Sequence, residues 1–393
     1  MPKDPRGVNA PPAAAQEPVN AKIVGKKLAA KGAAKKGAGN KKPKEILFRG
    51  LDKPPTSSDF YLWCDYIEVR CLASPDRRFS RGDLLECTTE LGEMEILTEG
   101  VEHEDELEEY EGDEADGVVA DNEGHEADEE ALRALPVDDR REAHAADLFS
   151  HFSVRSQVFG TAYPFVISDD GQEISLADDR TSAQNLYLEL LLSSSLRLIS
   201  LGRRGELTEH FEEISAKIFR GLMPPGWEVH RFGAKGSTRY KGHLHFKLKA
   251  LAKDWRAEFN LSKKQFKKRN SGDGGLDLVA WHPMGNDGRI GIPAAAAQCG
   301  CTAEKWSLKQ LEATPANMGY MQMQHPWAAY YFMPLDLVAV ADEGFDWQRR
   351  PDISCTIIID RLRIVRLSDE FKVMDDYKNP SLALKEAPGS YRA

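Results

Sequence analysis

The sequence predicts an α/β fold, because helical and strand periodicities alternate through its second half. Three observations carry this reading. ELTEHFEEISAKIFRGL, from Glu206, places Phe211, Ile214, Ile218 and Leu222 on one helical stripe, and Pro224-Pro225-Gly226 stops it. WEVHRF then alternates as a strand, and SGDGGLDLVAW passes from a Gly-rich turn into an apolar strand. Beyond the hairpin-like GNDGR, IGIPAAAAQC reads as the next strand. TAEKWSLKQLEA follows as a helix capped by Thr302, and DLVAV as the closing strand.

The elements before this core are justified in the same way. Residues 57–97 predict a helix pair: Ser57, Ser58 and Asp59 offer caps before FYLWCDYIEVRCLA, and Ser80 with Asp83 resembles a capping box. Such a pair is either a plain packing module or a helix-turn-helix. REAHAADLFSHFSVRSQVFG predicts a helix ending at Gly160, AYPFVISDDGQEISL two strands around a turn, and AQNLYLELLLSSSLRLIS a helix apolar on more than one face, hence buried. The basic stretch carries a helix over YKGHLHFKLKALAKDW, and PDISCTIIIDRLRIVRL adds a strand and a helix after the core. The expected organisation is a disordered basic tail (1–50), a small helical module (51–99), an acidic disordered linker (100–143), a connector packing on the core (144–205), the core domain (206–370) and a C-terminal tail (371–393).

Charge is segregated along the 393 residues, so the formal net charge of -11 says little about partners. Between Asp83 and Glu130 stand about 22 acidic side chains and no Lys or Arg, a block expected to stay solvated. Between Arg231 and Arg269 stand about 13 Lys or Arg against Asp254 and Glu258. The six cysteines have no paired C-x-x-C spacing and predict reduced thiols, and Cys299 with Cys301 cannot build a four-ligand zinc site. No apolar segment follows the N-terminal positive charges, and no apolar run reaches bilayer length, so a soluble, cytoplasmic protein with no membrane partner is expected.

The segment GDGGLDLVAW, a turn, and AAAAQCGCTAEKW resemble the PD-(D/E)XK nuclease superfamily, nearest its Mrr-like and defence-associated members. The resemblance covers about 140 residues and rests mainly on one spaced motif. It implies a restriction-endonuclease-like αβββαβ core, a mixed sheet flanked by helices. It implies that Asp277 is the family Asp, Gln298 its Glu or Gln, and Glu212 the acid on the preceding helix. The family Lys falls at Gly300, which has no side chain, so Lys305 is the implied substitute and Lys309 the reserve. Asp277 and Gln298 would then be the metal ligands for Mg²⁺, with Mn²⁺ able to replace it. The chemistry suits these residue types: a divalent cation held by a few oxygens neutralises phosphate charge and activates water.

Each residue also has a plain structural role open to it. Asp277 and Asp273 follow or precede glycines and suit turns, Gln298 suits a satisfied buried amide, and His282 and His325 read as structural histidines. A polar residue ending so apolar a strand is costly unless something engages it, which favours the pair Asp277 and Gln298 as a site. Lys263, Lys264, Lys267, Lys268 and Arg269 precede the Gly-rich turn and are expected to bind phosphates of DNA, with RNA open. The function expected is a DNA endonuclease in restriction or anti-phage defence, with an ATPase or other defence-system subunit and a homo-oligomer as possible partners. The alternatives are a catalytically degenerate nucleic-acid-binding subunit and an interaction scaffold.

Overall fold

A computed structural model describes residues 47–57, 59–89, 136–233, 237–266, 272–341, 344–376 and 380–391. Most of the basic tail, most of the acidic linker, and Lys267, Lys268 and Arg269 lie outside them, whereas Leu47 and Phe48, expected as part of that tail, are buried in the core. In chain order the elements begin with α1 (Phe60–Ala73), β1 (Arg78–Ser80) and α2 (Arg81–Thr89). Then come α3 (Val137–Phe159), β2 (Phe165–Ile167), β3 (Glu173–Leu176), α4 (Ser182–Ser194) and α5 (Leu201–Leu222). Next are β4 (Glu228–Arg231), α6 (Leu244–Trp255), β5 (Glu258–Phe259), β6 (Leu278–Trp281) and β7 (Ala294–Cys299). The chain continues through α7 (Trp306–Lys309), β8 (Met321–Gln322), β9 (Ala328–Phe332), β10 (Val338–Ala341) and β11 (Gly344–Trp347). It closes with β12 (Ile357–Ile359), α8 (Arg361–Glu370) and α9 (Leu382–Glu386).

The α/β class is as expected. Five strands form a mixed sheet in the order β12-β9-β7-β6-β4. β4, β6 and β7 are antiparallel in succession, whereas β9 runs parallel to β7 and β12 parallel to β9. The parallel pairs need crossovers, supplied by residues 300–327 and by the β10–β11 hairpin.

Both faces of this sheet are covered, which is why β7 is AAAAQC rather than an alternating strand. On one face Leu278, Ala280, Ala295, Ala297 and Phe332 pack with Phe211, Ile214, Ile218 and Phe219 of α5. On the other, Val279, Trp281, Ala294 and Ala296 pack with Phe232, Leu248, Leu251 and Trp255, mostly from α6. Beyond them Tyr331 and Ile358 meet Trp306, Met333 and Leu335. The alanines keep β7 thin enough for both layers to close on it.

Local signals placed most helices. α4 begins with a true capping box: Thr181 Oγ1 accepts from Gln184 N at 3.2 Å while Thr181 N donates to Gln184 Oε1 at 2.9 Å. α3 stops at Gly160, in the left-handed region at φ +53°. It starts at Val137, so the last residues expected as acidic linker are already helical. The helix pair forms, and α1 is buried at every residue except Phe60 and Arg70. Strand β1 lies between the two helices, and α2 buries Leu84 and Thr88 while Gly82, Asp83 and Glu86 are exposed.

Two expectations after β7 require correction. The helix predicted over TAEKWSLKQLEA is only the four residues of α7, followed by turns, and Thr302 does not cap it. The strand that closes on β7 is β9, AAYYF, while DLVAV belongs mainly to the separate β10–β11 hairpin. Apolar strands of similar length cannot be ranked by local pattern, because the choice depends on which one meets the sheet. β12 and α8 appear where PDISCTIIIDRLRIVRL placed a strand and a helix. All described residues belong to one compact unit, Glu45–Ala393. Among the described residues no helix is long and apolar enough to cross a membrane.

Candidate active site

Asp277 stands just ahead of β6, where the chain changes neighbours. Its N–H donates to Ala297 O at 2.9 Å, toward β7, while its carbonyl accepts from Phe232 N at 2.7 Å, toward β4. A regular strand residue directs both groups to the same side, so Asp277 is not a plain ladder member. Its side chain lies along the end of β7, where Oδ2 accepts from Cys299 N at 2.7 Å. Oδ1 is close to Gly233, where an added Cβ would sit 3.2 Å from it. The Gly-rich turn supplies this placement. Asp273 Oδ1 accepts from Gly275 N at 3.0 Å, the turn role expected for Asp273. Gly275 has φ +82°, and a Cβ there would fall 2.8 Å from Glu312 Cβ, so only glycine admits the close approach of Glu312.

Burial pushes the Asp277 carboxyl up to about 8, against the backbone bond from Cys299, and the neighbouring acids Asp273, Glu212 and Glu312 add to the rise. The residue is 8% exposed. Burial likewise raises Glu312, with Lys309 opposing and Asp273 reinforcing. Four acidic side chains therefore converge electrostatically on one end of the sheet.

Gln298 sits next to this carboxyl. β6 and β7 pair Leu278 with Ala297, so one step further Asp277 meets Gln298. Alternation along β7 places Gln298 on the face of Ala294 and Ala296, and Cys299 on the opposite one. Gln298 is not the satisfied amide of the structural reading: its Oε1 is buried with no hydrogen-bond partner among the described residues. Leaving such an oxygen unpaired costs about 1–3 kcal/mol.

Glu212 of α5 reaches the site's field but is engaged: its Oε2 accepts from Arg231 Nη2 at 2.7 Å. Lys305 is exposed and precedes α7 in the left-handed region at φ 58°. Lys309, the reserve, is closer to the chemistry; its Nζ donates to Thr302 Oγ1 at 2.8 Å, and its charge acts on Cys301 and Glu312. Lys263 and Lys264 are exposed on a short 3-10 turn, with Lys263 Nζ 5.0 Å from the centre of the Phe246 ring. His282 is structural, its Nδ1 accepting from Met284 N at 3.0 Å, and His325 is exposed with its Nδ1 3.1 Å from Pro326 O. All six cysteines are free.

The chain matches no protein-family model, no curated protein and no solved structure.

Three site residues escaped sequence reading. Tyr331 on β9 is in register with Gln298, fully buried, and its Oη has no hydrogen-bond partner among the described residues. An added Cβ on Gly300 would lie 2.1 Å from that Oη. A lysine at position 300 is thus sterically excluded by the tyrosine. Glu312 arrives from the crossover after α7, and Lys247 of α6 donates from a buried position to Gly272 O at 2.9 Å, anchoring that helix to the Gly-rich turn. None has a local sequence signal; a Tyr in AAYYF reads as core.

Among the described residues no group of three or more His, Cys, Asp or Glu side chains is placed to hold a metal ion. The donors offered here are one carboxylate and one amide oxygen. Both suit a hard cation: the amide oxygen lacks a partner among the described residues, and the carboxyl is kept from ionising by burial first and by neighbouring negative charge second, which a cation would offset.

Proposed function

We propose that this chain is a metal-dependent nuclease of the PD-(D/E)XK kind, hydrolysing phosphodiester bonds of DNA, with Asp277 and Gln298 holding Mg²⁺ or Mn²⁺. The observation that carries the reading is the placement of these two side chains at one end of adjacent antiparallel strands, with an unpartnered oxygen on Gln298. The connectivity adds support: α5, then three antiparallel strands β4, β6 and β7, then a crossover and the parallel strand β9. This is similar to the αβββαβ order the resemblance implies, with α6 and β5 inserted between β4 and β6 and a crossover helix, α7, of only four residues. A bound divalent cation would supply Lewis acidity and neutralise phosphate charge. The chain's own residues do the rest. Asp277 and Gln298 hold and orient it, Lys309, whose charge acts on Cys301 and Glu312, brings an ammonium, and Lys263 and Lys264 attract the nucleic-acid backbone. The role in restriction or defence, and a partner ATPase or second copy, rest on the family likeness alone.

One observation favours a second reading, a nucleic-acid-binding subunit that does not cut. The lysine position is Gly300, its space is filled by Tyr331, and Lys305 is exposed. The full chain, incubated with end-labelled duplex DNA, single-stranded DNA and RNA in Mg²⁺ or Mn²⁺, separates the two. Cleavage should require the metal and fall on the order of 100-fold or more in Asp277→Ala, with binding retained. Binding without cleavage by the wild type in either metal supports the second reading, and equal cleavage by Asp277→Ala overturns the site.

A further inference from the structure

The outward face of α6 carries a feature that the proposed site does not use. Leu244, Leu248, Leu251, Ala252 and Trp255 turn inward at helical spacing. That leaves Phe246, Lys249, Ala250 and Lys253 together on the opposite face, all exposed. The phenylalanine is 51% exposed, a cost in water that a polar residue at this position would not carry. It is not isolated. His243 and His245 lie 6.3 and 5.3 Å from its ring centre, and 5.9 and 5.6 Å from that of Phe266. His245 also meets Phe259 at 5.6 Å, and Phe259 meets Tyr320 at 6.2 Å. These rings form one aromatic surface, partly buried apart from the exposed Phe246.

The surface is also cationic. From Lys241 to Lys264 stand seven Lys or Arg against Asp254 and Glu258, and Asp254 is already paired with Arg239 at 2.7 Å. We propose that this surface is a stacking platform for an unpaired stretch of DNA, with a base on Phe246 and phosphates on Lys249, Lys253, Lys263 and Lys264. Every unpaired base offers a π face, and aromatic rings set among lysines engage such a strand whatever its sequence. In a duplex those faces are covered by neighbouring base pairs. Reading base edges in a groove favours Arg, Asn or Gln, and none of these stands on the exposed face of α6. Lys263 Nζ lies 5.0 Å from the Phe246 ring centre. A cation over an exposed ring is held more weakly than a stacked base, so the base displaces Lys263 and frees its ammonium for phosphate. The inference rests on the nuclease reading for the choice of DNA and adds to it the form of the strand. Position supports the connection. The first turn of α6 lies against the Gly-rich turn: Lys247 Nζ donates to Gly272 O at 2.9 Å, and a Cβ on Gly274 would be 3.3 Å from a Leu244 methyl. The platform therefore sits beside the turn that leads into Asp277.

The test is binding by the full chain in EDTA, where no metal-dependent cut can occur. The probes are a labelled oligothymidylate of about 20 nucleotides and a duplex of the same length, read by fluorescence anisotropy. The single strand should bind more tightly than the duplex. Phe246→Ala should weaken the single strand about 5- to 100-fold, change the duplex little, and keep the slope of affinity against salt. Lys263→Ala combined with Lys264→Ala should instead flatten that slope. Phe246→Trp should bind as the wild type does, and the emission of the added indole should fall as a base stacks on it. Unchanged single-strand affinity in Phe246→Ala, an equal loss on strand and duplex, or a wild-type preference for the duplex would overturn the platform. An oligouridylate bound more tightly than the oligothymidylate would overturn DNA as the strand. Assays in Mg²⁺ or Mn²⁺ separate the two readings. Phe246-dependent binding with no cleavage would end the nuclease reading and leave the platform. Cleavage at the wild-type rate by Phe246→Ala, with affinity unchanged, would do the reverse.

Discussion

A single carboxyl dominates the residue scale. Asp277 is held protonated near neutrality by burial and by Asp273, Glu212 and Glu312 around it. A carboxyl whose folded value is raised from 3.8 to about 8 favours the fold most below the lower value, and that contribution is lost as pH rises through the upper one. Metal-free protein should therefore lose thermal stability between those limits, and Asp277→Asn should flatten that part of the curve. A cation at the site must displace the proton, so the stabilisation by Mn²⁺, read as a shift in melting temperature, should be larger at pH 8.5 than at 6.5. An equal shift at both would place the ion elsewhere. The lysines make a second comparison. Lys309→Met should lower cleavage by about tenfold or more, a loss of about 1.4 kcal/mol in the transition state, while Lys305→Met should be near neutral. The reverse ranking in a steady-state assay would restore Lys305.

Elements are joined by a buried ionic cluster that no motif announced. Arg155 of α3 lies 3.1 Å from Asp65 and 2.9 Å from Glu68, both on α1, and 2.9 Å from Asp336 ahead of β10. These are close ion-pair contacts without aligned hydrogen bonds. Arg361 of α8 is better placed: it donates to Asp65 Oδ2 at 2.6 Å, to Ser194 Oγ at 2.9 Å and to Pro334 O at 2.9 Å, and packs over the Tyr187 ring. Burial pushes Asp65 up, but Arg361 and Arg155 outweigh it and hold the carboxyl below its usual value. Burial wins at Glu68 and Asp336, which both rise. Removing one partner strands the others, so Arg361→Met should cost about 3–5 kcal/mol in denaturant unfolding. Nearby Asp360 caps α8, accepting from Arg363 N at 3.0 Å, and burial with Asp336 lifts it to about 7. Its contribution is also lost as pH rises through that value, so Asp360→Asn, which keeps a capping oxygen, should narrow the stability difference between pH 5 and pH 8.

At the scale of the whole molecule, the expected core domain 206–370 is not free-standing in its packing. The cluster of Arg361 with Asp65 ties one end of the described chain to the other, and the core under α5 includes α1, α3 and α4 residues such as Ile67, Phe152 and Leu190. A fragment of 206–370 would expose that apolar face, and we expect it to be insoluble or molten, with poor amide dispersion in NMR. A well-dispersed spectrum would show that the core folds alone. The acidic block bears on binding rather than folding. With 16 carboxylates between Glu102 and Glu130 tethered to a chain that carries a basic stretch, deleting 100–135 should raise DNA affinity at low salt and change little at high salt. Unchanged affinity in a titration would dismiss competition by the block.

The sequence by itself determined what depends on neighbours in the chain. The stripe of α5, the hairpin of β6 and β7, the caps and glycine stops, and the juxtaposition of Asp277 with Gln298 all follow from periodicity and from a pairing a dozen residues long. Tertiary structure decided what depends on distant segments meeting. It chose AAYYF over DLVAV as the strand beside β7, cut the following helix to four residues, left Lys305 exposed while seating Lys309 on Thr302, and set Tyr331 over Gly300. The physical reason is common to all four. Between β7 and β9 the chain must cross over to run parallel, and space left by the packed sheet, not local preference, dictates where each side chain in that crossover ends.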